Sequence, residues 1–362
     1  MKKIKNPETG KINTELLTLG IQIKPETWGR NGGAGPAEGM TLLIKEVPLN
    51  VSVNSSYAKN SCYTADKKKC GFMLFKENKP LFPIDVVPRP KFYNGKTENG
   101  VSYEKIALLH GKDCLATTVF QTCSYWNSKK RCRFCGIELS LKSLRTIAVK
   151  TPCQLSEVAQ SAKLKDNISH VVITTGCINS FANLVSHIAD CVLAIKASTK
   201  LPVHVQIEPP EDLVLLKELK EAGLDTIGLH IESFDENVLK KIAPVKFEYG
   251  LKRYEKAWEK SVELFGKNQV SSFLIAGLGE RHESLIKGAE YLSRLGVYPF
   301  VVPLRPIPGS LMANAKPPEP SYMINIYQSV SSILSRYKLS SEKTKAGCVR
   351  CGACSALSQF EV

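Results

Sequence analysis

From about residue 105 onward, short runs rich in β-branched residues alternate with amphipathic stretches, and this rhythm restricts the fold more than any other feature. The strand candidates are "LATTVFQT", "SHVVITT", "PVHVQIE", "DTIGLHIE", "QVSSFLIAG" and "YPFVVPL". Helix candidates lie between them, among them "TPCQLSEVAQSAKL", "FANLVSHIADCVLAIKAS", "EDLVLLKELKEAG" and "RHESLIKGAEYLSRLG". Several open on Ser, Thr, Asp or Glu and close on Gly. Six such units in a row predict a parallel sheet covered by helices, a full or partial (β/α) TIM-like barrel of the α/β class. Residues 1–105 lack the rhythm. Their β-prone pieces, such as "MTLLIKEVPLNVSV" and "CGFMLFKE", are broken by Pro, Gly and Asn and predict a small β-rich N-terminal region. The expected division is therefore 1–105, a barrel over 106–340, and a Cys-rich C-terminal tail over 341–362. The glycine-rich "GRNGGAGPAEG" lacks the Lys-Ser/Thr of a phosphate-binding loop and reads as a plain loop.

Two strands carry a polar face. In "PVHVQIE", His204, Gln206 and Glu208 oppose Val203, Val205 and Ile207; in "DTIGLHIE", Gly228, His230 and Glu232 oppose Ile227, Leu229 and Ile231. A purely packed parallel sheet buries apolar residues on both sides. Buried polar groups need partners, so this pattern predicts a barrel interior that holds a ligand or water.

Apolar residues make up 43% and charged residues 23% of the 362, the profile of a globular protein. No apolar run reaches the ~18 residues of a membrane span, and the polar start "MKKIKNPETG" leads us to expect a cytoplasmic protein. The net charge is +15, but the lysines are spread along the chain without the Arg/aromatic interleaving of nucleic-acid modules. Six of the twelve cysteines form two triplets, Cys123/Cys132/Cys135 and Cys348/Cys351/Cys354. In a reducing compartment such clustering points to metal ligation rather than disulfides. The other six are scattered and read mostly as small buried hydrophobes. Cys123 ends the first barrel strand, and the carboxyl ends of barrel strands are where chemistry sits. Zinc wants four closed ligands, which a split site pairing Cys132/Cys135 with Cys351/Cys354 would supply. A [4Fe–4S] cube held by three thiolates leaves one iron open to a substrate or cofactor.

With these residues in hand, the chain resembles the radical S-adenosylmethionine (SAM) superfamily. There, three cysteines in a C-x3-C-x2-C pattern hold a [4Fe–4S] cluster whose open iron chelates SAM. Here the first gap is eight residues instead of three, and Phe134 takes the aromatic place before the last cysteine. "VVITTGC" is similar to the second-strand motif that holds the SAM amino group, which implies a role for Thr174, Thr175 and Gly176. "LHIESFDENVLKKIAP" and "LIAGLGE" resemble the biotin synthase and lipoyl synthase branch; they imply SAM contacts by Glu232, and by Gly277, Gly279 and Glu280 beside the adenine. "PLRPIPGSLM" resembles the following strand and loop. More narrowly, "KIALLHGKDCLATTVFQTC" and "KAGCVRCGACSALSQFE" resemble a radical SAM family encoded with a nitrilase and an acetyltransferase in bacterial gene clusters.

The resemblance implies a radical SAM type of barrel, reductive cleavage of SAM to a 5′-deoxyadenosyl radical, and hydrogen abstraction from a small-molecule substrate. It also implies an electron donor such as flavodoxin or ferredoxin. Glu208, His230 and Arg305 stand out as catalytic candidates, with His204 and Gln206 as further substrate contacts. Cys348, Cys351 and Cys354 suggest a second iron–sulfur cluster. Its further ligand is expected from Cys62, Cys70, Cys114 or Cys177, unless an iron stays open; the alternatives are a zinc knot or a mobile, metal-free tail. Two other functions stay open at this point: a zinc-bearing RNA-binding protein, and a two-cluster electron-transfer protein without SAM chemistry.

Overall fold

A computed structural model describes residues 6–24, 39–68 and 71–361. The loop at 29–38 and Cys70, both singled out above, lie outside the described residues. The N-terminal part comprises α1 (Pro7–Leu19), β1 (Gln22–Lys24), β2 (Gly39–Ile44), β3 (Val47–Ser52), β4 (Tyr63–Lys67), β5 (Phe72–Lys76) and β6 (Lys79–Val86). Its strands form one sheet in the order β1-β4-β5-β6-β2-β3. Helix α1 was not legible as a periodic element; Asn6 caps it by accepting from the amides of Glu8 and Thr9.

After the short α2 (Tyr103–Ile106) the second sheet begins. Its strands are β7 (Leu108–His110), β8 (Cys114–Thr118), β9 (His170–Thr174), β10 (Val203–Ile207), β11 (Thr226–Leu229), β12 (Val270–Ala276) and β13 (Tyr298–Pro303). They pair in unbroken sequence order, parallel from β8 to β13, with β7 antiparallel at the edge. Among the described residues β13 does not pair with β7, so the barrel is partial. All six strands expected from the alternation are present.

The helices are α3 (Leu139–Lys142), α4 (Pro152–Asp166), α5 (Phe181–Thr199), α6 (Val214–Glu221), α7 (Glu236–Ile242), α8 (Pro244–Phe265), α9 (His282–Arg294), α10 (Pro320–Arg336), α11 (Cys348–Cys351) and α12 (Leu357–Phe360). Local chemistry sets their starts. Thr151 and Gln154 form a reciprocal capping box before α4, and Asp235 accepts from the amides of Asn237 and Val238 to open α7. Helix α5 is long and apolar enough to cross a membrane. It packs instead between α4 and α6, with Val185, Ile188, Val192 and Ile195 buried.

The tail packs against the barrel. Ala346, Val349, Ala356, Leu357 and Phe360 are buried. Thr226 at the start of β11 donates to the Ala346 carbonyl, and Arg350 reaches Ser169 just before β9. The tail therefore closes the amino-terminal ends of the parallel strands. Strand β3 joins it there, its Asn50 amide donating to the Ala353 carbonyl at 2.7 Å.

Candidate functional site

The two cysteine triplets lie at opposite ends of the parallel strands. This rules out the split zinc site that would pair Cys132/Cys135 with Cys351/Cys354. Cys123, Cys132 and Cys135 occupy the loop after β8, and backbone hydrogen bonds fix that loop. The Gly176 amide donates to Phe120, Ser124 to Cys177, and Arg133 to the Ile242 carbonyl. The Cys123 amide donates to the Glu138 carboxylate at 3.1 Å. Arg131 lies 3.3 Å over the Trp126 ring. Gly176 is required by closeness: a Cβ there would fall 1.9 Å from the Thr122 carbonyl oxygen. Phe134 wedges between Cys132 and Cys135 into an apolar cluster of Ile242, Ile275, Leu278 and Leu304.

The donor set suits thiolate ligation. The amides of Tyr125 and Cys177 point at the Cys123 sulfur, and that of Ile137 at Cys135. Burial pushes Cys135 up to about 11 and raises Cys132 further. Cys123 is lowered to about 6, chiefly by a hydrogen bond from the Cys177 thiol. Cys177 therefore stands beside the first triplet, not the tail where a further ligand was sought. Sequence spacing gave no sign of this, because Cys177 follows a different strand.

Around this loop stand the ends of β9 to β12. Thr174 shares a 2.7 Å hydrogen bond with Thr118 across β8 and β9, while the Thr175 hydroxyl bonds the Gly176 carbonyl. Glu232, at φ +72°, is 7% exposed. Its Oε1 lies 3.1 Å from Lys246 Nζ, which also stands 3.4 Å from Glu208 and donates to the His230 carbonyl. Burial opposes the charge on Lys246, but Glu208, Tyr254 and Glu232 outweigh it and hold the ammonium well above its usual range. Burial raises Glu232, with Lys246 opposing. The other carboxylate oxygen, Oε2, is buried with no partner. Lys246 is a site residue that sequence reasoning missed. Gly277 and Gly279 adopt φ of +97° and +102°. Glu280 accepts from the Gly277 and Leu278 amides and from Tyr322, so its carboxylate braces this turn.

Deeper in the barrel, two imidazoles face one point. His230 Nδ1 accepts from the Phe273 amide, which places the proton of the neutral ring on Nε2. His204 Nδ1 lies 2.8 Å from the Thr226 hydroxyl, whose own proton goes to Ala346; Nδ1 therefore carries the hydrogen and Nε2 is an acceptor. Burial lowers His204 to about 3 and His230 well below its usual value, so both rings are neutral. Both Nε2 atoms are buried without a partner. A Cβ on Gly228 would meet them at 2.9 Å and 3.1 Å, so the glycine leaves a gap between a donor and an acceptor.

At the far end, Gln206 Nε2 donates to Cys348 Sγ at 3.2 Å, and Cys351 and Cys354 line a cavity with Cys114. Arg305, expected with the substrate contacts, turns toward this end. One nitrogen donates to Asn50 at 3.3 Å and Nη2 is buried without a partner. The scattered cysteines are mixed: Cys191 and Cys114 are buried, Cys153 is exposed, and Cys62 lies partly buried beside Lys76 and Glu15.

Residues 129–292 match the model of the radical SAM superfamily. The chain carries a radical SAM domain. The match takes in Cys132 and Cys135 and begins after Cys123. A curated relative, bacteriochlorophyllide c C-7(1)-hydroxylase of Chlorobaculum limnaeum, is 24% identical over 269 residues, covering 68% of this chain and 65% of its own length. Among solved structures, methylornithine synthase aligns at 16% identity over 69% of this chain and 70% of its own, with a TM-score of 0.47. The [FeFe]-hydrogenase maturase of Carboxydothermus hydrogenoformans aligns at 18% identity over 70% and 58%, with a TM-score of 0.48.

Proposed function

We propose that this protein is a radical SAM enzyme acting on a small molecule inside the partial barrel. The observation that carries the reading is the thiol triplet on the rigid loop after the first parallel strand, within a chain that bears the radical SAM domain. Cys123, Cys132 and Cys135 would hold a [4Fe–4S] cluster, with amide donors already aimed at two of the three sulfurs. When bound, the cluster supplies one electron that cleaves SAM to methionine and a 5′-deoxyadenosyl radical, which takes hydrogen from the substrate.

The protein's own groups orient and shield. Glu232 Oε2 is the buried acceptor free to receive a hydroxyl or ammonium of SAM, while Oε1 stays on Lys246. Thr174, Thr175, Gly176, Gly277 and Gly279 would line the SAM site, and Phe134, packed on the apolar cluster of Ile242, Ile275, Leu278 and Leu304, would close its apolar side. His204 and His230 offer an acceptor and a donor to one substrate hydroxyl or amide; Gln206 and Glu208 extend that face along β10. The likeness of the strand-end motifs to the biotin synthase and lipoyl synthase branch, and of two segments to the family encoded with a nitrilase and an acetyltransferase, belongs to this proposal. So do a flavodoxin or ferredoxin as reductant and a cytoplasmic location, where thiolates stay reduced.

The test is anaerobic incubation of cluster-loaded protein with SAM and dithionite, read by mass spectrometry. Wild type should form 5′-deoxyadenosine and Cys132→Ala should not. Loaded wild type that yields none overturns the reading.

A further inference from the structure

Cys114 opens β8, far in sequence from the tail, and yet it meets the tail triplet. Its side chain is 1% exposed and hydrogen-bonds Cys351. Cys348 and Cys354 complete the ring of thiols around one cavity, whose remaining walls include Val172 and Ala353. Gly111, at φ +56°, makes room for it: a Cβ there would fall 2.7 Å from Cys351 Sγ. Gly347, at φ +99°, lets the tail pass over His204 in the same way.

We infer that Cys114, Cys348, Cys351 and Cys354 ligate a second iron–sulfur cluster, a [4Fe–4S] cube with a cysteine on every iron. Four thiolates around a cube leave an overall dianion, and a buried dianion needs hydrogen-bond donors and a cation. Both are present. Gln206 donates an N–H to Cys348, and the guanidinium of Arg305 acts on Cys354 while its Nη2 lacks any protein acceptor. A single zinc ion on the same four thiolates is the competing occupant, and the metal content of the protein decides between them. With no iron open, this cluster cannot bind substrate through a vacant coordination site, in contrast to one held by Cys123, Cys132 and Cys135.

The inference stands independently of SAM chemistry, and its test separates the two. In full-length protein with Cys123, Cys132 and Cys135 all changed to Ala, reconstitution should leave about four iron and four sulfide per chain. Adding Cys114→Ser should abolish that content or convert the EPR spectrum to a three-iron type. Adding Cys354→Ser instead should do the same, which guards against a folding defect peculiar to the buried Cys114. Unit zinc with no iron in the triple variant overturns the inference, as does iron, sulfide and spectrum unchanged by both serine substitutions in folded protein.

Discussion

Lys246 is the residue on which the polar end of the barrel turns. It is 5% exposed and faces two carboxylates, Glu208 and Glu232, and the His230 carbonyl. Lys246→Met should cost about 3–5 kcal/mol, because the buried Glu232 and the partly buried Glu208 lose their counter-ion; denaturant unfolding of the variant measures it. Glu232→Ala acts differently, since Lys246 keeps Glu208. SAM affinity should fall about tenfold to hundredfold, the loss of a charged hydrogen bond of about 1.5–3 kcal/mol. SAM titration of the reduced variant, followed by EPR, reads this, and an unchanged dissociation constant removes Glu232 from the site. A second buried lysine gives a pH signature. Lys150, 1% exposed, donates to Gln121 Oε1 at 3.0 Å and to the Ile147 carbonyl, beneath the cysteine loop. Burial lowers it to about 7. Between that value and the usual lysine range the unfolded chain holds the extra proton, so stability rises with pH, by about 1.4 kcal/mol per unit. Thermal unfolding across pH 7 to 10 should show that rise in wild type and lose it in Lys150→Met.

At the scale of elements, the end of β9 and the loop after β8 are one mechanical unit. Gly176 touches the Thr122 carbonyl so closely that any side chain would push the loop away. Gly176→Ala should therefore empty the first cysteine triplet and spare the tail, lowering reconstituted iron from about eight to about four per chain; full iron in this variant would show that the loop tolerates the displacement. The six parallel strands were legible because β-branched runs and amphipathic stretches alternate on a local scale. The polar face of β10 and β11 was legible for the same reason. What sequence did not reveal depends on contacts between distant segments. Lys246 begins α8 with no local hint of Glu232 across the site. Cys177 was grouped with the tail, yet it bonds Cys123. Glu280 reads as a ligand-facing acid, although the turn's own amides occupy it. Arg305 follows β13 but extends toward Asn50 and Cys354.

At the scale of the whole molecule, the barrel is open between β13 and β7, and two distant parts of the chain meet at that end. Strand β3 brings Asn50 to Arg305 and to Ala353. The tail returns across the amino-terminal strand ends, with Phe360 stacked on Tyr327, and Glu361 accepting from Tyr298. Strand β10 runs from the tail cysteines to the polar cluster at the mouth. Gln206 touches Cys348, and two residues on Glu208 meets Lys246 at the other end. A strand advances about 3.3 Å per residue, so only about 7 Å along β10 separates the two contacts.

The closure of the lower cavity by the tail also has a meaning in time. Cys114 leaves the ribosome long before Cys354, and at about 5–20 residues per second the interval is tens of seconds. During that interval the nascent barrel exposes a lone thiol and the unpaired faces of His204 and Gln206 where the tail will lie. A metal there would be held only loosely until Cys348, Cys351 and Cys354 arrive. If the inferred cluster forms, its assembly is a late event in the life of each molecule, whereas Cys123, Cys132 and Cys135 emerge together and could be filled while synthesis continues.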